Sequence, residues 1–450
     1  MTDLSRIVKA YDVRGIVPDE LDADIARALG AAFARFADAP TIVTARDMRE
    51  SGIELGRAFA EGVISQGVDV VESGLGSTDL LYYAAGSMDM PGAMFTASHN
   101  PAKYNGIKLC LAGAKPVGQD SGLAQIRDDA QRFLAEGLPA GDRTGSITQQ
   151  DVLADYAAYL RELVPDLVGI RPLKVVVDAG NGMGGHTVGP TFEGLPLEVT
   201  ELYFELDGSF PHHEANPIDP ENLRDLQKAV LAQGADLGLA FDGDADRCFV
   251  VDERGEIVSP STLTALIAAR ELRRVPGATI IHNLITSRAV PEVVAELGGT
   301  AVRTRVGHSF IKAEMARTGA VFGGEHSGHF YFREFWNADS GMLAALHTVA
   351  ELGQQSGPLS ALLSSYERYV ASGEINSTVD DQAARLAAIK SGYGDKPQDE
   401  LDGLTVDVGA GAWFNVRASN TEPLLRLNVE APDEPTMIAL RDAVLALIRG

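Results

Sequence analysis

The feature that most constrains the fold is an internal repeat in which short apolar runs alternate with amphipathic helical segments. The first copy starts at residue 41 with TIVTARD and ends at GAMFT, which breaks into ASHNP at 97–101. The same order returns from residue 278 and ends in GEHSG at 324–328. A looser copy starts at LKVVVDAG and ends in DGDAD at 242–246. This alternation predicts parallel sheets covered by helices.

A polar loop follows the last strand of each copy. In parallel sheets, ligands bind outside the carboxyl ends of the strands. If three such domains face one another, ASHNP, DGDAD and GEHSG converge on one central cleft. We therefore predict three topologically related α/β domains with mixed, largely parallel sheets around that cleft.

The remainder of the chain has a different pattern. Strand candidates in VDVGAGAWFNVRAS and PLLRLNVEA are grouped, and helical patterns flank them. Grouped strands with flanking helices are typical of a small α+β domain. The predicted domains are therefore 1–150, 151–255 and 256–366, all α/β, and 367–450, which is α+β.

Composition and charge exclude several classes of protein. The net charge of −25 argues against nucleic acid or an anionic membrane as a partner, because both need a basic footprint. No apolar run approaches the roughly 20 residues of a membrane span. Two cysteines give no disulfide framework and fit a reducing compartment. We expect a cytoplasmic protein, a monomer or homodimer, whose partners are small molecules.

The strongest chemical motif is DGDADR at 242–247. Asp242, Asp244 and Asp246 follow the apolar strand LGLAF and can turn toward one hard cation in a tight loop. Few protein ligands and oxygen donors favour Mg²⁺. An EF-hand is excluded because its sixth position needs Gly, where Arg247 stands, and because CFVVD after it predicts a strand. An aspartyl nucleophile of the haloacid-dehalogenase type and a solvated acidic loop remain alternatives.

The loop TASHNP places Ser98 and His99 at a strand end. Such residues are ordinary in turns, and the glycine pattern of a hydrolase elbow is missing. The position of this loop in the repeat, opposite DGDAD, favours a functional role for Ser98. A serine that carries a phosphoryl group needs a cation against that charge, and three aspartates supply the site for one.

GNGMGG at 180–185 matches the glycine pattern of dinucleotide-binding loops. This match supports a distant alternative, an NAD(P)-dependent oxidoreductase. The following segment HTVGPTFEGLP predicts a poor helix because of Gly189, Pro190 and Gly194. A pyrophosphate would then lack a helix N-terminus to bind, which argues against this alternative.

Further polar motifs are weaker when taken singly. RASNTEP at 417–423, with Arg426, offers a cradle suited to a phosphate monoester or an ordinary hairpin loop. YDVRG at 11–15 and YNGIK at 104–108 each place a cation, Arg14 or Lys108, beside a turn glycine. VGHSFIK places His308 in a loop after a strand, as a general base or a capping residue.

Together, the motifs resemble those of the α-D-phosphohexomutases. YDVRG, TASHNP, YNGIK, DGDADR, VGHSFIK, GEHSGH and RASNTEP occur in the family's order over nearly the whole chain. The chain is most similar to the bacterial phosphomannomutase/phosphoglucomutase branch. The resemblance implies four domains around a deep cleft, the first three related in topology.

The resemblance also implies roles for individual residues. Ser98 would be the phosphoserine, and the three aspartates would hold Mg²⁺ together with a phosphoserine oxygen. The other catalytic candidates are Arg247, Lys108, Arg14, His308 and His99. The candidates for substrate binding are Glu325, His326 and Ser327 at the sugar, Arg417, Ser419, Asn420, Thr421 and Arg426 at the phosphate that does not react, and Tyr11.

The implied reaction is the reversible interconversion of mannose 1-phosphate and mannose 6-phosphate. A phosphoserine would donate to the sugar, form a hexose 1,6-bisphosphate and recover the other phosphate. Such an enzyme is an intramolecular phosphotransferase that uses Mg²⁺, with a hexose 1,6-bisphosphate as activator. Glucose phosphates are the alternative or second substrate. Within the family that the chain resembles, the GEHSGH form, which contains His326, favours phosphomannomutase.

Overall fold

A computed structural model of the chain describes residues 3–419 and 424–450. The chain divides into two compact units. The first unit contains the residues up to Ser259 and the segment Ser327–Ser360; the second contains Pro260–His326 and Ala361–Gly450. Two candidate phosphate-binding residues, Asn420 and Thr421, lie outside the described residues. No helix in the described ranges is long and apolar enough to cross a membrane.

The first copy of the repeat folds as the alternation predicts and comprises β2 to β4. The elements of this part of the chain are β1 (Val13–Ile16), α1 (Ala23–Ala37), β2 (Thr41–Arg46), α2 (Ser51–Ser65), β3 (Asp69–Leu75), α3 (Thr78–Ser87), β4 (Gly92–Phe95), β5 (Tyr104–Leu111), β6 (Lys115–Pro116), α4 (Leu123–Glu136), β7 (Ile147–Gln149) and α5 (Leu153–Leu163). Strand β2 pairs in parallel with β3 and β4, while β5 adds to β4 in the antiparallel sense. The sheet is therefore mixed.

The second copy lies in the same unit. Its elements are β8 (Leu173–Asp178), α6 (Gly184–Phe192), β9 (Leu197–Leu202), α7 (Arg224–Gln233), β10 (Leu237–Phe241), β11 (Cys248–Asp252) and β12 (Ile257–Val258). Every residue of β10 is buried, as its continuous apolar run predicts for a central strand covered on both faces.

The third copy begins the second unit. Its elements there are α8 (Pro260–Arg274), β13 (Thr279–Asn283), α9 (Ala289–Glu296), β14 (Thr300–Thr304), α10 (His308–Thr318) and β15 (Phe322–Gly324). The chain continues with β16 (Phe330–Phe332), β17 (Ala338–Asp339), α11 (Gly341–Gly353) and α12 (Leu359–Leu363). His308 is the first residue of α10, so its placement in a loop was wrong: Gly307 is the N-cap and the helix starts directly after it.

One strand order recurs in all three copies. The first strand of each copy lies in the middle, with the second on one side and the third on the other: β3-β2-β4, β9-β8-β10 and β14-β13-β15. All these pairs are parallel. The three polar loops follow β4, β10 and β15, the third strand each time. The topological relation predicted from the repeat is confirmed.

The segment after GNGMGG forms a helix, contrary to the sequence prediction. Helix α6 contains Pro190, but only in its last turn, where few hydrogen bonds remain to be lost. Carbonyls at the end of this helix also accept hydrogen bonds from outside it, because Arg161 Nη1 of α5 donates to those of Pro190 and Thr191. Burial of Val188 and Phe192 supplies the packing that local propensity lacks.

The C-terminal part of the second unit is an α+β domain, as predicted. Its elements are β18 (Val370–Thr378), α13 (Gln382–Gly392), β19 (Gln398–Asp399), β20 (Leu404–Gly409), β21 (Ala412–Ala418), β22 (Leu424–Ala431) and α14 (Glu434–Arg449). The antiparallel sheet has the order β18-β22-β21-β20-β19. Strand β18 was not predicted, because it lies at an edge and is mostly exposed, so its sequence lacks an apolar alternation.

Candidate active site

The loop after β4 places Ser98 against the loop after β10. Ser98 is buried and has a φ of 49°, a left-handed conformation that non-glycine residues rarely adopt. Its amide donates to Thr96 Oγ1 at 2.8 Å, and its hydroxyl donates to Asp242 Oδ2 at 2.7 Å. Gly243 makes this approach possible, since a Cβ there would lie 2.4 Å from the Ser98 carbonyl oxygen. The pairing of ASHNP with DGDAD is thus a direct contact.

Three carboxylates lie together beside this serine. Asp242, Asp244 and Asp246 are at most 1% exposed, and one oxygen of each lies within 4.8 Å of the others. Lys108 Nζ donates to Asp244 Oδ2 and Asp246 Oδ2, at 2.7 Å each. Arg247 Nε donates to Asp242 Oδ2 at 2.9 Å. Three negative charges therefore have two cations in direct contact, which leaves an excess of negative charge in a buried place.

The perturbed pKa values follow from this crowding. Burial works against the charged form of Asp244, but Lys108 and the Thr78 hydroxyl hold the pKa of that carboxyl below its usual range. Burial and the charge of Asp244 raise the pKa of Asp246. Like charges held this close in a poorly solvated site favour either a proton or a bound cation.

Two oxygens of the cluster fit a metal ion. Asp244 Oδ1 and Asp246 Oδ1 are buried and have no hydrogen-bond partner in the part of the chain that the structure describes. A buried carboxylate oxygen without a donor is costly unless something positive coordinates it. Together with Asp242, these oxygens form an oxygen-only ligand set that can bind a hard divalent cation.

Most of the other predicted catalytic residues lie in the first unit, around the Ser98 loop. Arg14 Nη1 donates to Asn100 Oδ1 at 2.6 Å and to the Ala97 carbonyl at 3.3 Å. His99 Nδ1 lies 3.2 Å from Ser98 Oγ, and burial, with Arg247 and Arg14 nearby, lowers the pKa of this histidine to about 2. The His99 imidazole is therefore neutral near pH 7.

The glycine loop GNGMGG packs against the aspartate loop. The Met183 amide donates to the Gly243 carbonyl at 2.9 Å, and a Cβ at Gly182 would lie 2.7 Å from the same oxygen. The glycine that allows a close backbone approach thus serves contact with DGDAD. This contact explains the glycine pattern without a bound dinucleotide. The sequence prediction that no sound helix follows the motif was wrong, because α6 forms there.

Three residues of this site were missed in the sequence. Thr78 Oγ1 donates to Asp244 Oδ2 at 2.6 Å, and Arg49 donates to carbonyls of the Ser98 loop. His329 is partly exposed, its Nε2 lies 3.6 Å from Asp246 Oδ1, and its Nδ1 lies 3.0 Å from Ser327 Oγ. His329 stands in the quoted motif GEHSGH, so the motif was the signal that could have identified it.

The predicted sugar-binding residues are divided between the units. Glu325 and His326 belong to the second unit and Ser327 to the first. Glu325 Oε1 accepts from Asn283 Nδ2 and from the Gly307 amide, at 3.2 Å each. His326 Nδ1 lies 3.3 Å from Ser261 Oγ, and burial lowers the pKa of His326. Both side chains are therefore held by their own unit.

Two predicted phosphate-binding arginines face each other across a strand pair of the second unit. Arg417 on β21 is the register partner of Arg426 on β22. Glu374 accepts from Arg417 Nη2 at 2.7 Å and from Arg426 Nη1 at 3.3 Å. The Nε atom of each arginine is buried and has no hydrogen-bond partner among residues 3–419 and 424–450, so each can still donate to an anion. Ser419 is buried at the end of β21, and Tyr11 of the first unit is half-buried before β1.

Comparison with protein-family models gives a match along the whole chain. The models are phosphoglucomutase/phosphomannomutase alpha/beta/alpha domain I at residues 5–133, domain II at 154–255, domain III at 259–369, and the C-terminal domain at 374–447.

Individual relatives agree with these matches. A phosphomannomutase of Salmonella montevideo is 39% identical, over 98% of this chain and 98% of its own. A phosphomannomutase/phosphoglucomutase of Pseudomonas aeruginosa is 39% identical, over 95% of this chain and 92% of its own. The crystal structure of a phosphoglucomutase/phosphomannomutase family protein from Burkholderia thailandensis superposes with a TM-score of 0.88 at 34% identity, covering 100% of this chain and 98% of the other.

These matches and the buried serine–aspartate site define a class of enzyme that moves a phosphoryl group within its substrate. The chain belongs to the phosphoglucomutase/phosphomannomutase family, and with it to the phosphohexomutases, which are intramolecular phosphotransferases of the isomerase class.

Proposed function

We propose that the chain is a magnesium-dependent phosphomannomutase that interconverts mannose 1-phosphate and mannose 6-phosphate, with Ser98 as the phosphoryl carrier. The observation that supports this proposal best is the 2.7 Å contact between Ser98 Oγ and Asp242 in a cluster of three buried carboxylates. A hydroxyl is not a strong ligand or base by itself. Beside a cation-binding cluster it can carry a charged group whose charge the cation offsets.

Asp242, Asp244 and Asp246 would hold Mg²⁺ together with an oxygen of the phosphoserine. Asp244 Oδ1 and Asp246 Oδ1, which accept no hydrogen bond from the described residues, support this assignment. When bound, Mg²⁺ would offset the negative charge of the phosphoryl group. Lys108 and Arg247 already neutralise part of the cluster and would do the same for the transferred group.

The transfer step exchanges one P–O bond for another. The bond between phosphorus and Ser98 Oγ breaks as a bond to the free sugar hydroxyl forms, and one proton moves in net from that hydroxyl to Ser98 Oγ. Such a transfer depends on position and charge more than on covalent catalysis. Arg14 and His308 are the predicted groups for handling the proton, and His99 is a further predicted catalytic residue. The partly exposed His329, 3.6 Å from Asp246, is a further candidate.

The substrate must bind in two orientations, because either of its phosphates becomes the one transferred. We assign the phosphate that is not reacting to Arg417, Ser419, Asn420, Thr421 and Arg426. The Nε donors of Arg417 and Arg426, which have no hydrogen-bond acceptor among the described residues, support this assignment. Glu325, His326 and Ser327 would bind sugar hydroxyls, and Tyr11 would contact substrate.

The choice of mannose rests on His326 and on the names of relatives. The Salmonella protein is named a phosphomannomutase, and the Pseudomonas protein is named for both sugars. We therefore propose glucose phosphates as a second substrate and a hexose 1,6-bisphosphate as activator. The division at residues 150, 255 and 366, a cytoplasmic location and a monomeric or dimeric state stay predictions.

A pair of variants tests the chemistry. Ser98→Ala should abolish most turnover of mannose 1-phosphate, with Mg²⁺ and bisphosphate present, while circular dichroism and the melting temperature stay close to wild type. Full activity of Ser98→Ala would refute the proposal. If only Asp242→Asn were inactive, the chain would be a phosphatase with an aspartyl nucleophile. Relative kcat/KM values for mannose 1-phosphate and glucose 1-phosphate test the choice of sugar.

A further inference from the structure

Arg49 is one of the largest fully buried side chains of the protein, and all five of its guanidinium N–H groups are used. It is 1% exposed and lies just before α2. Its Nε donates to Asp47 Oδ2 at 3.2 Å. The other four N–H groups donate to backbone carbonyls rather than to side chains. A buried arginine used in this way is expensive to desolvate, so its position calls for a structural explanation.

The four carbonyls belong to one loop. Nη2 donates to the carbonyls of Ser98 at 2.8 Å and Asn100 at 2.6 Å, and Nη1 donates to those of Pro101 and Tyr104 at 3.0 Å each. The loop from Ser98 to Tyr104 therefore wraps around one guanidinium group. The Ser98, Asn100 and Pro101 carbonyls lie outside any helix or strand, and Tyr104 is the first residue of β5. Arg49 therefore supplies hydrogen bonds that a strand or helix would supply elsewhere.

Ser98 needs such support because of its backbone. Its φ of 49° lies in the left-handed region, which is unfavourable for a residue with a Cβ. The carbonyl of Ser98 is fixed from both sides: Arg49 donates to it, and Gly243 packs against it so closely that a Cβ would lie 2.4 Å away. The direction of the Ser98 hydroxyl toward Asp242 follows from this fixed backbone.

Residues of the second copy cover Arg49. The Phe210 ring lies with its centroid 5.0 Å from the Arg49 guanidinium carbon. Gly208 lies over the Arg49 Cα, where a Cβ would come within 3.0 Å. The aromatic face and the exclusion of water strengthen the hydrogen bonds to the loop.

We infer that Arg49 is a positioning residue for phosphoryl transfer: it holds the Ser98 loop in the left-handed conformation that directs the serine hydroxyl to the aspartate cluster. This inference rests on the proposed role of Ser98 and adds a residue outside the aspartate cluster and the assigned substrate-binding residues. The guanidinium shape is essential, because the ammonium of a lysine is a single point with three donors and cannot reach four carbonyls spread around a planar group.

Arg49→Lys tests the inference, because it keeps the charge next to buried Asp47. The matched control is Arg171→Lys, since Arg171 donates to the carbonyls of Gln355 and Pro172 and to Asp236 but lies outside the candidate site. Dephosphorylated protein is mixed with glucose 1,6-bisphosphate and Mg²⁺, and intact mass follows the phosphorylation of Ser98 with time. KM for mannose 1-phosphate and the melting temperature are measured in parallel.

We expect Arg49→Lys to slow transfer by at least about tenfold, because a displacement near 1 Å costs up to about 100-fold. KM should stay within about twofold, since the phosphate-binding arginines are in the other unit. Arg171→Lys should transfer at the wild-type rate. A wild-type rate in Arg49→Lys would overturn the inference, and so would an equal loss in Arg171→Lys. If wild type itself takes up no phosphoryl group on Ser98, the proposed function fails instead.

A second variant covers the case in which Arg49→Lys does not fold. Phe210→Leu keeps an apolar cover over Arg49 but removes the aromatic face that helps to hold the guanidinium in place, so its hydrogen bonds to the loop are weakened. The loss of that contact should lower the transfer rate by about threefold. An unchanged rate in Phe210→Leu would then overturn the inference.

Discussion

Replacing Asp246 by Asn should make the protein more stable and less able to bind Mg²⁺. Asparagine has nearly the same shape, so packing around the buried side chain is retained. Asp246 lies within 4.8 Å of Asp242 and Asp244, and each repulsion at that distance amounts to at least about 3 kcal/mol at an effective dielectric constant of 20. The two repulsions together match the attraction of Lys108 at 2.7 Å, about 6 kcal/mol on the same basis.

The desolvation of the Asp246 carboxylate then remains without compensation. This cost is several kcal/mol for a buried ion, so we expect Asn to stabilise the metal-free protein by about 1–3 kcal/mol. Burial and the charge of Asp244 raise the pKa of Asp246, which likewise indicates that its charged form is unfavourable in the metal-free protein. In wild type, Mg²⁺ at 100 times its Kd should raise the free energy of unfolding by about 2.7 kcal/mol. The variant should lose most of this stabilisation.

Thermal unfolding in chelator and in excess Mg²⁺ measures both effects. Asp246→Asn should melt above wild type in chelator and shift little with Mg²⁺, while the exposed substitution Asp128→Asn should behave as wild type in both. An Asp246→Asn protein that melts below wild type in chelator, or that keeps the wild-type response to Mg²⁺, would refute the assignment of this cluster as a strained cation site.

Three further results are expected. Burial raises the pKa of Asp79 to about 6 despite hydrogen bonds from Ser340, Ser77 and Tyr156. The protonated carboxyl therefore stabilises the fold fully below about pH 4, and up to about 3 kcal/mol of the free energy of unfolding is lost as the pH rises through 6. The melting temperature of wild type should fall relative to that of Asp79→Asn over this range, and parallel pH profiles of the two proteins would contradict the shift. Arg417→Ala should raise KM for mannose 1-phosphate by about 10–100-fold in steady-state kinetics, because one charge-assisted hydrogen bond is lost; an unchanged KM would remove Arg417 from the phosphate site. Gly243→Ala should reduce kcat by about 100-fold or more, because its Cβ would displace the Ser98 carbonyl, 2.4 Å away; activity near wild type would show that the Ser98 loop tolerates displacement.

The architecture could be predicted from the sequence because the repeat carries its own topology. Once TIVTARD, VDVVES and GAMFT are recognised as strands in a βαβαβ order, only a few arrangements remain, and the three copies constrain one another. The position of ASHNP and DGDAD at corresponding strand ends also predicted that Ser98 belongs with Asp242. These inferences depend on local periodicity and order along the chain.

The parts that failed depend on contacts between residues distant in the sequence. Helix α6 forms although Gly189 and Pro190 disfavour it, because Arg161 and a buried apolar face stabilise its end. Arg49 was missed, since nothing nearby in the sequence shows that it donates to four carbonyls of residues 98–104. Such contacts exist only after the chain has folded.

The central claim is that Ser98 carries the phosphoryl group, and mass spectrometry tests it most directly. Dephosphorylated protein is exposed to glucose 1,6-bisphosphate and Mg²⁺, digested and mapped, and the labelled protein is then chased with mannose 1-phosphate. We expect one phosphoryl group on the peptide that contains Ser98, lost in the chase as the bisphosphate of mannose forms. A phosphoryl group on Asp242, or none at all on a protein that still turns over substrate, would contradict it.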